Sequence, residues 1–246
     1  MTDRNAALAQ DSHQLVTVGH RWFGARTVKG VSFSVKHGER FTILGDRAGA
    51  TSIIETVLCQ KRQIAGSFMV NGIEGKNYSN LHGLVGYQPL KNSIDEDLTV
   101  IQHLNLFVKL VGIPKRMWTH TVDEVVEACL LQGFENSKIE SMSCGLIRRL
   151  TLAMALIGRP KLVILDNPLA DADPISRRKL IKTILNYTEN SALLLATNDV
   201  EVAELLSDKI AVMDEGKFIA IGSVSEIIDC HGQGYSVEIE ADMKMF

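Results

Sequence analysis

The sequence predicts an α/β fold: a mostly parallel sheet wrapped by helices, with an early antiparallel part and a helical subdomain at about residues 92–158. Three observations predict it. Short apolar runs alternate with helical stretches through the last third of the chain. Leu162-Val163-Ile164-Leu165 is apolar throughout, as expected of a strand buried on both faces. In the middle, Ile101, Leu104, Phe107, Val108 and Val111 recur at helical spacing.

Each element follows from local signals. Residues 1–13 read as a polar lead-in, and residues 14–246 as one domain. A first strand is expected at residues 15–18. Val31-Ser32-Phe33-Ser34-Val35 alternates apolar and polar, the period of a half-buried strand. Phe41-Thr42-Ile43-Leu44 runs into Gly45, and an apolar helical stretch follows at 53–58, which reads as strand, glycine loop, helix. A further strand at 67–70 closes on Asn71-Gly72. The first middle helix should stop at Gly112, before Pro114. Thr121 and Glu124 have capping-box spacing and would open a second helix, with Val122, Val125, Val126 and Cys129 inside. A third helix covers 144–157 and ends at Gly158-Arg159-Pro160. Beyond it come a helix at 174–186, a strand at 193–196, a helix at 200–206, and strands at 210–213 and 218–221. Ser223 and Glu226 repeat the capping-box spacing.

Composition narrows the classes of function. The chain has 246 residues, a net charge of −3, 46% hydrophobic and 22% charged residues, as in ordinary globular domains. That charge argues against a nucleic-acid or polyanion binder. No apolar run approaches the ~20 residues of a membrane helix, so no direct membrane insertion is expected. The first residues lack the apolar stretch of a signal peptide. Cys59, Cys129, Cys144 and Cys230 show no paired spacing and read as reduced thiols, without a disulfide frame or a zinc site.

Gly45-Asp46-Arg47-Ala48-Gly49-Ala50-Thr51-Ser52 stands where a phosphate-binding loop belongs. Such a loop offers backbone N–H groups to phosphates at a helix start, a lysine to the β/γ-phosphates, and a Ser or Thr to Mg²⁺. With Gly49 as the second glycine, Ala50 takes the lysine position. With the full loop length, Ala50 replaces the glycine and Thr51 the lysine. Both registers lose the lysine and keep a hydroxyl for the metal. A charge-assisted hydrogen bond contributes roughly 1.5–3 kcal/mol, so the loss weakens nucleotide binding about 10- to 150-fold. Asp46 adds a negative charge, which Arg47 would offset. The plain alternative is a strand–turn–helix corner with no ligand.

Over residues 15–240 the chain resembles the nucleotide-binding domain of ABC transporters, most closely the A subfamily. The resemblance rests on "GVSFSVKHGERFTILG", "GYQPLKNSIDEDLTVIQHL", "SMSCGLIRRLTLAMALIGRPKLVILDNPLADADP" and "LLLATNDVEVAELLSDKIAVMDEGKFIAIGSVSEI", in that order, followed by "GQGYSVEIE". It implies a P-loop NTPase-like core that uses ATP and Mg²⁺, with Trp22 stacking on adenine and Thr51, Ser52 and Asp166 near the metal. Ser143, Cys144, Gly145 and Leu146 fall on the signature, and Asp173, or alternatively Asp171, on the D-loop aspartate. The implied partners are a transmembrane domain and a second nucleotide-binding domain, at the cytoplasmic face of a membrane, in a lipid transporter.

The departures fall on the chemistry. Leu90 stands at the Q-loop glutamine, with Gln88 two residues earlier; Asn167 at the catalytic glutamate; Asn198 at the switch histidine; Cys144 at the first signature glycine. Loss of a general base costs roughly 10²–10⁴-fold in rate. The expectation is a degenerate domain with weak or no hydrolysis. Two alternatives stand beside it: an active ATPase in which Arg47 and Asp171 compensate, and an ABC-like regulator without a transporter.

Overall fold

The computed structural model describes residues 14–22, 28–60, 68–74, 83–91 and 94–231. Its strands are β1 (Gln14–Trp22), β2 (Val31–Lys36), β3 (Arg40–Gly45), β4 (Phe68–Val70), β5 (Ile73–Glu74), β6 (Val85–Gln88), β7 (Leu162–Asp166), β8 (Ala192–Thr197), β9 (Lys209–Asp214) and β10 (Lys217–Gly222). Its α-helices are α1 (Arg47–Val57), α2 (Val100–Leu110), α3 (Trp118–Ala128), α4 (Cys144–Leu156), α5 (Pro174–Tyr187), α6 (Val200–Leu206) and α7 (Val224–His231). The predicted lead-in, residues 1–13, lies outside the described residues.

Two sheets organise the fold. The antiparallel one has the order β2-β1-β4-β5, and the larger one β10-β9-β3-β8-β7-β6. From β9 to β6 every pairing in the larger sheet is parallel; only the β10–β9 hairpin is antiparallel. The period of two along its strands sorts side chains between two apolar clusters. Val163, Leu165, Leu193 and Leu195 face α2, α3 and α4. Leu162, Ile164, Leu194 and Ala196 face α1 and the antiparallel sheet. Phe33 of β2 stacks on Phe41 of β3 at 4.9 Å between ring centroids, which ties the two sheets together.

The helical period set by Ile101, Leu104 and Val108 ends as expected: α2 caps on Val111, and Gly112 takes a φ of +84°. Ser223 and Glu226 form the expected reciprocal cap, at 2.7 and 3.3 Å. Two expectations need correction. Thr121 and Glu124 do not open α3, because the helix starts at Trp118, whose indole N–H donates to the Ile113 carbonyl at 2.7 Å. Glu124 instead accepts from Arg159 at 2.7 Å. The capping box of this region is Thr99 with Gln102, at the start of α2. Finally, α1 does not wait for residue 53. It begins at Arg47, one residue after Asp46, so the stretch read as a glycine loop is already helical.

Candidate functional site

The corner between β3 and α1 is clamped against β9. Gly45 has a φ of +119°, and a Cβ there would stand 2.3 Å from the Met213 carbonyl oxygen, so only glycine fits. The Asp46 N–H donates to that same carbonyl at 3.1 Å. Asp46 then caps α1: its Oδ1 accepts from the Ala48 N–H at 3.1 Å. A Cβ on Gly49 would lie 3.0 Å from Asp46 Oδ2 and 2.5 Å from the Met213 side chain. Ala48 is exposed, and Ala50 is buried in the core. Residues 47–52, which both registers use, lie within α1, and neither register places a lysine among them.

One turn further, α1 meets the end of β7. The Thr51 hydroxyl donates to Asp166 Oδ2 at 2.7 Å. Burial pushes the Asp166 carboxyl above its ordinary range, and the bond from Thr51 and the charge of Arg148 partly oppose this. Ser52 is buried one residue further along α1. Two members of the predicted metal set, Thr51 and Asp166, are therefore in direct contact.

The residues after β7 and β8 surround a polar cleft of about 300 Å³, which Arg47, Asn167, Asp171, Arg177, Asn198 and Asp199 help to line. The cleft brings together Arg47, the two asparagines and the alternative D-loop aspartate. Asn167 and Asp171 both have positive φ, at 52° and 63°. Such turns are tolerated best by Asn, Asp and Gly. Arg177 pairs with Asp199 and lies 3.6 Å from Glu201. Asp173 is exposed and does not line this cleft. It caps α5 by accepting from the Ile175 and Ser176 N–H groups at 3.1 and 3.0 Å, and it pairs with Arg149 at 3.2 Å.

Arg148 was not singled out from the sequence, yet it joins three motif segments. It sits on α4, nearly fully buried. Its guanidinium donates to the carbonyls of Pro89 and Leu90 at 2.5 and 3.3 Å, and to those of Asp166 and Asn167 at 2.7 Å each. Burial lowers its pKa, opposed by the charge of Asp166. Gln88 is fully buried, and its Nε2 donates to the Arg148 carbonyl and the Thr151 hydroxyl at 2.9 and 3.1 Å. The Gln88 amide thus points into α4. Leu90 lines a second cleft, of about 520 Å³, that runs along β6 beside Thr51, Tyr87 and Phe107.

The start of α4 is open. Ser143 caps it, accepting from the Leu146 N–H at 3.3 Å, and both Ser143 and Cys144 are exposed. Gly145 faces the turn after β7: a Cβ there would stand 2.9 Å from the Asp171 carbonyl oxygen. Cys129, by contrast, is fully buried, which pushes its thiol up to about 12. Trp22 closes β1 opposite Val31, and its side chain lies outside the described residues.

A glycine-ended strand leading into a helix, and a buried aspartate two strands across the sheet facing that helix, define a P-loop type of nucleotide-binding fold. The family model described as "ABC transporter" matches residues 28–170, and the chain belongs to that family. Among its relatives is the human "Glucosylceramide transporter ABCA12", 31% identical over 216 residues, covering 86% of this chain and 8% of that protein. Another is "ABC transporter A family member 1" of Dictyostelium discoideum, 31% identical, covering 87% of this chain and 25% of that protein. The chain therefore spans a small part of the relatives it matches. A solved structure described as the ATP binding subunit of an ABC transporter superposes with a TM-score of 0.81 at 20% identity, covering 89% of this chain and 93% of the other. A bacterial Atm1-family ABC exporter with ATP bound gives 0.77 at 18% identity, over 89% and 40%. Among the described residues no helix is long and apolar enough to cross a membrane.

Proposed function

We propose that this chain is a degenerate nucleotide-binding domain of an A-subfamily lipid transporter. In this reading it has little or no ATPase activity and is the ATP-binding, scaffolding or regulatory half of a domain pair. Its partners are a transmembrane domain and a second nucleotide-binding domain, on the cytoplasmic face of a membrane. The A-subfamily relatives support this, and one of them, from mouse, is described as "Phospholipid-transporting ATPase ABCA3".

The observation that carries the reading is the cleft of Arg47, Asn167 and Asn198. An amide orients water but takes no proton from it, so Asn167 supplies no base at the glutamate position. Thr51 and Asp166 offer Mg²⁺ a hydroxyl and a carboxylate, which suits a hard cation. The α1 corner does not suit a triphosphate: residues 45–52 include no lysine, and the capping side chain is itself an anion. Gln88, turned into α4, does not stand in for the missing glutamine at Leu90. Cys144 puts a side chain where the partner's nucleotide would approach the signature.

One observation favours the second reading. Arg47 and Asp171 line the same cleft, so a cation and a carboxylate are both available there. Phosphate release from Mg·ATP by the full chain separates the two. The degenerate reading expects background turnover in the wild type and in Asp166→Ala alike. Turnover above ~0.1 s⁻¹ that is lost in Arg47→Ala and Asp171→Asn would establish the compensated ATPase instead, well above what a site without a base supports.

A further inference from the structure

We infer that the phosphate end of α1 is closed by the chain's own carboxylate, so that Asp46 is an internal anion that competes with nucleotide phosphates. This deepens the reading of the chain as a degenerate nucleotide-binding domain and rests on it.

Three sets of contacts carry the inference. First, the N-terminus of an α-helix attracts anions through its free N–H groups and the helix dipole. In α1 that attraction is met from within, by Asp46 Oδ1 on the Ala48 N–H at 3.1 Å. Second, the carboxylate lies across the first turn. Asp46 Oδ2 stands 3.0 Å from where a Cβ on Gly49 would be, beside the Met213 side chain that covers the same residue at 2.5 Å. Third, the corner is held from behind. The Asp46 N–H bonds to the Met213 carbonyl at 3.1 Å, and that oxygen also presses on Gly45. The backbone of β9 therefore fixes Asp46 over the helix end. One turn along, the Thr51 hydroxyl donates to Asp166 at 2.7 Å, so the neighbouring cation position lies apart from the Asp46 cap. A phosphate group at this corner meets a like charge at close range and has to displace the cap.

Arg47 gives the closure a direction. It is exposed, and it lines the cleft of Asn167 and Asn198 beside the capped end. The corner thus carries a cation next to an anion, and the anion holds the N–H group. Neutralising Asp46 leaves Arg47 as the dominant charge at the start of α1.

The test uses Asp46→Asn, because asparagine caps helices as well as aspartate and removes only the charge. Asp46→Ser, also a good cap, is the second variant. Inorganic pyrophosphate and Mg·ATP are titrated into the full chain by calorimetry, with thermal unfolding as the fold control. Both variants are expected to unfold within a few degrees of the wild type and to bind pyrophosphate at least about tenfold more tightly, with an affinity that falls as salt is added. Equal affinities in wild type and both variants would overturn the inference, as would wild-type binding of Mg·ATP as tight as that of the variants. ATP hydrolysis by the wild type would instead overturn the non-hydrolysing reading, and it is scored separately by phosphate release.

Discussion

The starts of α1 and α4 invite comparison, because a domain of this family uses both. In the proposed reading the first would serve the chain's own nucleotide and the second its partner's. In this chain Asp46 caps α1 and Ser143 caps α4. The first cap is an anion set over its own helix end. The second is neutral, exposed, and followed by an exposed Cys144. In the proposed reading the α1 end is met by the chain's own carboxylate, whereas the α4 end keeps a neutral, exposed cap and carries the Cys144 side chain toward the partner's nucleotide.

The comparison can be broken most severely at Arg148. Its guanidinium holds α4 to the carbonyls of Pro89, Leu90, Asp166 and Asn167. Arg148→Ala removes this donor from four carbonyls at a largely part-buried junction. It should lower the unfolding free energy by about 3 kcal/mol, measured by urea denaturation. Amide exchange should rise around residues 86–90 and 144–150, while α1 stays protected.

Gly145→Ala is the next largest. The added Cβ would stand 2.9 Å from the Asp171 carbonyl oxygen. The start of α4 or the turn after β7 must shift, at a cost of about 1–3 kcal/mol. Ser143→Ala and Asp46→Ala sharpen the contrast directly. Each removes a cap and should cost about 1 kcal/mol. Only Asp46→Ala should also change the affinity for pyrophosphate.

The smallest effect is a control remote from both caps. Arg159 holds the Glu124 carboxyl below its usual range through their hydrogen bond. A lowered carboxylate pKa adds stability above the unfolded value of 4.5 and loses it as pH falls through the folded value. The pair is largely exposed, so the stability difference between wild type and Glu124→Gln should stay below about 1 kcal/mol at pH 7. It should vanish in acid below that window.

The parallel core was legible because its strands are buried on both faces: a run such as Leu162 to Leu165 has few other uses. Ser223 before Glu226 marked a helix start for a local reason that holds in the structure, whereas the capping role of Asp173 was not read from the sequence. Other features carried no local signal. Strand β6 is a short, half-buried edge strand, and Val-Gly-Tyr-Gln shows no clear period. The early start of α1 was hidden because Arg-Ala-Gly-Ala reads as a glycine loop. The structure resolves it through a cap at Asp46 and a positive φ confined to Gly45. Thr121 and Glu124 imitate a capping box from inside a helix, since their spacing is also one helical turn. The four bonds of Arg148 join residues 18 to 59 positions away, which no local pattern reveals.

The chemical step separates a degenerate domain from a working ATPase most directly. A single-turnover experiment, with the full chain in excess over Mg·ATP and phosphate release followed by rapid quench, reports that step even where binding is weak. The account predicts a rate indistinguishable from the Asp166→Ala variant and from buffer. A rate above ~0.1 s⁻¹ that disappears in Asp166→Ala would contradict it, because a site with Asn167 in place of a base should fall well below that value.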